Sequence, residues 1–101
     1  MKLTTEFDPI RDWAKEKGIL NYGDCKTQCV KLFEEAGELS KAILKNDENE
    51  FIDAIGDCVI VLTNLAAIKG YDIEFCINSA YNVIAKRTGK MENGSFVKDG
   101  I

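Results

Sequence analysis

A chain of 101 residues and 11.3 kDa has room for one hydrophobic core and no second domain. With 46% apolar and 30% charged residues, a net charge of -4 and a pI near 4.8, it is too apolar for disorder. It also carries no general positive field for a nucleic acid polymer or anionic lipid. The absence of histidine excludes Ser-His-Asp and Cys-His catalysis and mixed zinc sites, leaving carboxylate, lysine and metal-ion chemistry.

The opening segment MKLTTEFDPIRDW has no apolar run behind Lys2, so neither a secretory signal nor a membrane anchor is expected, and the expected location is the cytoplasm. Asp8-Pro9 reads as an N-cap with proline at the first helical position, and Gly18 as a stop, which predicts a first helix over residues 9 to 17. Ile10, Trp13 and Ala14 form its apolar stripe. Asn21, Tyr22, Gly23 and Asp24 predict a turn. From Asp24 to about Lys45, Cys29, Leu32, Phe33, Ala36 and Ile43 recur at helical spacing and mark a second helix. The polar stretch 46 to 49 can cap a third helix from about Glu50 to Lys69, ended by Gly70, and Asp72 caps a fourth reaching about Arg87. Gly89, Asn93-Gly94 and Gly100 then predict a turn-bearing tail, a loop or a small hairpin. With no repeat and no linker, the expected fold is all-α: one antiparallel four-helix bundle with short loops. Cys25, Cys29, Cys58 and Cys76 form no CxxC pair, and three of them occupy apolar helical positions, as reduced thiols do.

The third helix, EFIDAIGDCVIVLTNLAAIKG, is apolar all round except at Asp53, Asp57 and Asn64. Such a helix needs cover on every side, which three other helices cannot supply, so part of it is expected to face a second copy of the chain. At about 100° per residue the three polar positions share one narrow stripe. Two carboxylates one turn apart in an apolar helix repel each other and call for a cation: a divalent metal, or a network with Lys86 and Arg87. In KLFEEAGELSKA of the second helix, Glu34, Glu35 and Glu38 lie within about 100° of one another, opposite the apolar stripe, so three carboxylates can converge on one point. Beside Lys31, Lys41 and Lys45 they would ordinarily be a solvated face. Next to the aspartates of the third helix they suggest an all-oxygen cage, which hard Mg2+ or Mn2+ ions choose. On the fourth helix Asn82 and Lys86 share a face that could hold phosphate oxygens, and Lys90 of the tail could close over them. Trp13 could stack on a nucleobase and Gln28 could hydrogen-bond to its edge.

LFEEAGELSKAI followed by DAIGDCVIVLTNLA resembles the MazG-like family of all-α nucleoside triphosphate pyrophosphohydrolases, whose motifs are EExxE and then ExxD. AYNVIAKRTGKMENGSFVKDG is similar to the continuation in small, phage-type members, so the resemblance covers roughly residues 10 to 100. It implies Mg2+ binding by the residues that match the motifs: Glu34, Glu35 and Glu38 of EExxE, and Asp57 of ExxD. The expected metal ligands are Glu35, Glu38, Asp53 and Asp57, with Glu34 and Asp53 free to take a second ion or to orient water. The glutamate of the second motif falls at Ala54, and Asp53 is its possible substitute. Asn82 and Lys86 match positions near the phosphates, with Lys90, Trp13 and Gln28 completing the expected substrate contacts. The implied reaction converts a (deoxy)nucleoside triphosphate to the monophosphate and pyrophosphate, in a homodimer or homotetramer. The rival expectation is a non-catalytic oligomerisation or nucleotide-sensing module with the same cage.

Overall fold

The computed structural model describes residues 5–100; Lys2 and the start of the N-terminal segment lie outside them. Its elements are α1 (Phe7–Glu16), α2 (Ile19–Tyr22), α3 (Cys25–Leu44), α4 (Glu48–Ile68), α5 (Ile73–Ile84), β1 (Gly89–Glu92) and β2 (Ser95–Lys98). The protein is mostly helical, with one two-stranded antiparallel hairpin at its C-terminal end.

Local chemistry explains most boundaries. α1 starts two residues earlier than expected because Asp8 does not cap it. Its carboxylate instead accepts from the Thr5 amide at 2.9 Å and pairs with Arg11 at 2.7 Å. Gly18, with φ 80°, ends that helix and leads into the single turn of α2, where only an irregular turn was anticipated. Asp24, expected only as the end of a turn and the start of the helical spacing, caps α3, accepting from the Thr27 amide and hydroxyl, both at 2.9 Å. α3 closes on Asn46 in the left-handed region (φ 53°), with the Asp47 amide returning to the Ala42 carbonyl at 3.0 Å. Asp47 then caps α4. Gly70 (φ 85°) ends α4 in the same way, with the Tyr71 amide on the Ala66 carbonyl at 2.9 Å. In the tail, Asn93 and Gly94 both take positive φ and make the two-residue turn that joins β1 to β2.

α3 and α4 form an antiparallel pair about the Asn46 turn, with α1 and α2 packed on α4. Residues equally distant from Asn46 along the two helices stand level, which sets Glu35 opposite Asp57 and Gln28 level with Asn64. The inward face of α3 is Gln28, Leu32, Glu35, Leu39 and Ala42, rotated from the expected stripe, since Cys29, Phe33 and Ile43 are exposed. The inward face of α4 is Ala54, Asp57, Val61 and Asn64. Its outer side leaves Ile52, Ile55 and Leu62 uncovered, so the third expected helix is not buried all round within one chain. By length and composition α4 could cross a membrane, but Asp57 lies beside Glu35 of α3 and Asn64 is buried, with α1, α2 and α3 all packed on it, which marks it as the central helix of this fold.

α5 does not complete a closed bundle. It touches the end of α4, and its first turn is tied to α1 by Glu74, which accepts from Arg11 at 2.6 and 2.7 Å and from the Thr5 hydroxyl at 2.9 Å. Beyond that turn its residues and those of the hairpin are exposed. It also stops at Ile84 rather than near Arg87. The radius of gyration, 16.3 Å, exceeds the about 13 Å of a compact chain of this length. All four cysteines are free.

Candidate functional site

The seam between α3 and α4 carries the acidic residues. Glu35 of α3 lies beside Asp57 of α4, close enough for the two carboxyl groups to act on each other. The Glu35 carboxyl is raised above its ordinary range. Loss of solvent is the main cause, the charge of Asp57 the next, and Glu38 adds to it. Lys31, one turn back on α3, opposes the shift from 3.9 Å. A cation beside them relieves the repulsion of such a pair.

The other acids surround this pair without joining it. Glu34 points away, about 100° around α3 from Glu35, and is exposed, as are Glu38 and Asp53. Among the described residues no three carboxylates or cysteines stand close enough to enclose a metal ion. The expectation that Glu34, Glu35 and Glu38 meet at one point is therefore not met in the single chain. Helical geometry is the reason: positions i and i+1 diverge, whereas i and i+3, here Glu35 and Glu38, share a side. Glu38 instead borders a cleft of about 230 Å³ with Lys41, Ala42, Lys45, Asp47 and Glu50, at the Asn46 end of the helix pair. Ala54, at the position of the missing motif glutamate, is buried against the seam at 3% exposure, so no carboxylate replaces it there, and neighbouring Asp53 faces solvent.

Two turns from the acidic pair, the seam holds a second polar level that the sequence reading only half found. Asn64 is 4% exposed and its Oδ1 has no hydrogen-bond partner; the Oε1 of Gln28, level with it, is likewise buried and unpartnered. Gln28 was expected at the site, while Asn64 was noted only as part of a polar stripe. A lone asparagine inside the apolar run VIVLTNLAAI was the available signal.

The expected substrate residues lie apart from the pair. Trp13 is half exposed and lines a shallow apolar groove with Pro9, Ile10 and Ile60. Asn82 is exposed on α5, Lys86 is exposed just past its end, and Lys90 on β1 pairs with Glu92 at 3.5 Å. The structure thus joins Glu35 to Asp57 and brings neither Asn82 nor Lys86 to them.

Fold and site together define a helical protein whose central helix pair brings two acidic side chains, Glu35 and Asp57, beside each other. The chain belongs to the MazG family: the family model for the MazG nucleotide pyrophosphohydrolase domain matches residues 25–93, which hold Gln28, every acidic site residue and the first strand of the hairpin. The chain is also 37% identical over 57 residues to an uncharacterised 18.2 kDa protein from the rep-hol intergenic region of Haemophilus phage HP1 (strain HP1c1). That match takes in 56% of this chain and 35% of the phage protein, so the chain spans about a third of the relative's length. No solved structure matches.

Proposed function

We propose that the chain hydrolyses nucleoside triphosphates between the α- and β-phosphates, releasing the monophosphate and pyrophosphate, with Mg2+ as cofactor and Mn2+ as a substitute. One observation carries the reading: the Glu35–Asp57 pair, held across two antiparallel helices inside the segment that matches the pyrophosphohydrolase family.

The donors fit a hard divalent ion. Two partly desolvated carboxylates stand side by side with the Glu35 carboxyl raised, and the lysine nearest to it is at the outer limit of an ion pair. Glu35 and Asp57 would hold the ion; Glu38, one turn along α3, and Asp53, one turn along α4, have the freedom of exposed side chains to complete the set. A bound Mg2+ supplies charge neutralisation at the phosphate oxygens and a lowered pKa for water. The remaining work falls to the chain. Glu34, on the adjacent flank of α3, orients the attacking water as a general base. Lys86 and Lys90 offset the phosphate charge, Asn82 donates a hydrogen bond to a phosphate oxygen, and Trp13 with Gln28 contacts the base. We read the assembly as a homodimer or homotetramer in the cytoplasm, with no nucleic acid polymer and no membrane as partner.

The test is release of pyrophosphate and monophosphate from a panel of nucleoside triphosphates, with and without Mg2+ or Mn2+, beside Glu38→Gln. Metal-dependent release that this variant loses supports the reading; metal binding with no release from any substrate refutes it. The second outcome would favour a nucleotide-sensing module, to which one feature already points: a buried alanine occupies the place of the second-motif glutamate.

A further inference from the structure

Along one side of α4 stand three residues of different chemistry. Asp57, Ile60 and Asn64 follow one another at spacings of three and four, which keeps them within about 60° of arc around the helix. Asp57 lies beside Glu35. Ile60 closes the apolar groove of about 240 Å³ that Pro9, Ile10 and Trp13 of α1 build against α4, and the Trp13 ring is left 46% exposed there. Asn64 is buried, and its Oδ1 has no hydrogen-bond partner. An acid, an indole-walled apolar groove and an unmet acceptor thus succeed one another over about 10 Å of helix.

A buried amide oxygen without a partner destabilises the fold that holds it, and a leucine would fill the same space without that cost. The amide is accounted for by a donor that reaches it from outside the chain. Gln28 repeats the feature on the paired helix: level with Asn64, its Oε1 is also buried and unpartnered. Two unmet acceptors at one level fit a donor group that carries two hydrogens. A primary amino group has both. A ring N–H has one, and a keto oxygen has none and would face the two oxygens with like partial charge.

We infer that Asn64 and Gln28 select the base of the substrate by accepting from the exocyclic amino group of cytosine or adenine, and discriminate against the keto bases uracil and hypoxanthine. The inference rests on the triphosphate-hydrolysing reading given above. The order of groups along α4 suits a nucleotide laid lengthwise, with its phosphates at Glu35 and Asp57, its ring on Trp13 at the level of Ile60 and its amino edge at Asn64. Stacking on an indole tolerates any base, because every base has a π-face, so discrimination falls to the two amides. An amino base satisfies both oxygens. A keto base leaves them buried and unmet, which is the condition under which a polar pocket rejects the wrong ligand most strongly.

Two series on the full chain decide it. In the first, kcat/KM is measured with Mg2+ for dCTP against dUTP and for ATP against ITP, pairs of nearly equal shape. A preference of about tenfold or more for the amino member of each hydrolysed pair is expected. Asn64→Leu should bring that ratio close to one by lowering kcat/KM for the amino member, and Gln28→Leu should lower it in part. Equal kcat/KM for both members, a preference for the keto member, or a folded Asn64→Leu protein that keeps the preference overturns the inference. Should Asn64→Leu not fold, Gln28→Leu and the wild-type ratios carry the test. In the second series, titration calorimetry with CMP against UMP and AMP against IMP, in the presence of Mg2+, needs no turnover. Tighter binding of the amino monophosphate by a protein that hydrolyses no triphosphate keeps the base selection and removes the proposed activity. Hydrolysis without base preference does the reverse. No binding of any monophosphate and no hydrolysis overturn both.

Discussion

Replacing Glu74 by glutamine tests the clamp that fixes the first turn of α5 against α1. The Glu74 carboxylate receives both guanidinium nitrogens of Arg11 and the Thr5 hydroxyl at 2.6 to 2.9 Å, and Arg11 is shared with Asp8. These bonds, those from Arg11 foremost, hold the Glu74 carboxyl at about 2, below its ordinary 4.5. The full gap would correspond to about 3 kcal/mol. Solvent reaches both partners, with 29% of the Glu74 side chain and 18% of Arg11 exposed, and screening brings the expected contribution down to about 1–2 kcal/mol. Because the folded pKa is depressed, this stability is present above the unfolded value near 4.5 and is lost as pH falls from there towards 2. Thermal unfolding at pH 7 and across the acid range, at one protein concentration, reads it directly. Glu74→Gln should lower the midpoint by roughly 5–10 °C at pH 7 and flatten the wild-type decline between pH 4.5 and 2. A variant within about 0.5 kcal/mol of wild type at pH 7, or one that keeps the full acid slope, would refute the clamp.

Metal binding should stabilise the fold by linkage, by about 2.7 kcal/mol at a hundred times the dissociation constant, and Asp57→Asn should lose most of that gain in a melting experiment with MgCl2 or MnCl2. An equal gain in both proteins would place the metal elsewhere. Asp24→Ala removes the acceptor for the Thr27 amide and hydroxyl and should cost about 0.5–2 kcal/mol in urea unfolding, with fold and metal binding retained. Asn64→Leu replaces an amide whose buried oxygen has no partner with an apolar side chain of similar size. It should leave stability unchanged or raise it by about 1 kcal/mol; a loss above about 2 kcal/mol would show that Asn64 is paired by a group such as an internal water.

Much of this protein was legible in its sequence because the deciding interactions are local. Asp24 caps the helix behind it, Gly70 turns the chain out of α4, and Asn93-Gly94 makes the hairpin turn. Each depends on residues within a few positions. The acidic motifs were legible for the same reason, since helical spacing alone sets Glu35 and Glu38 on one side. Other features needed the packed chain. Periodicity read from apolar residues put Cys29, Phe33 and Ile43 inward, whereas packing against α4 turned Gln28 and Glu35 inward instead. An amphipathic pattern cannot show this when a helix is apolar on more than one side, because the partner helix selects the face. The contact between Glu35 and Asp57 likewise required the register set by the Asn46 turn. The separation of Asn82 and Lys86 from that pair depends on the direction in which Arg11 and Glu74 hold α5, an interaction spanning 63 residues that no local pattern encodes. Sequence by itself determined neither the single turn of α2 nor the ends at Phe7 and Ile84, but it did determine the four main helices, the stops at Gly18 and Gly70 and the supply of carboxylates. Tertiary structure decided which of them meet, because pairing across helices depends on the register and rotation of whole elements rather than on the residues beside each group.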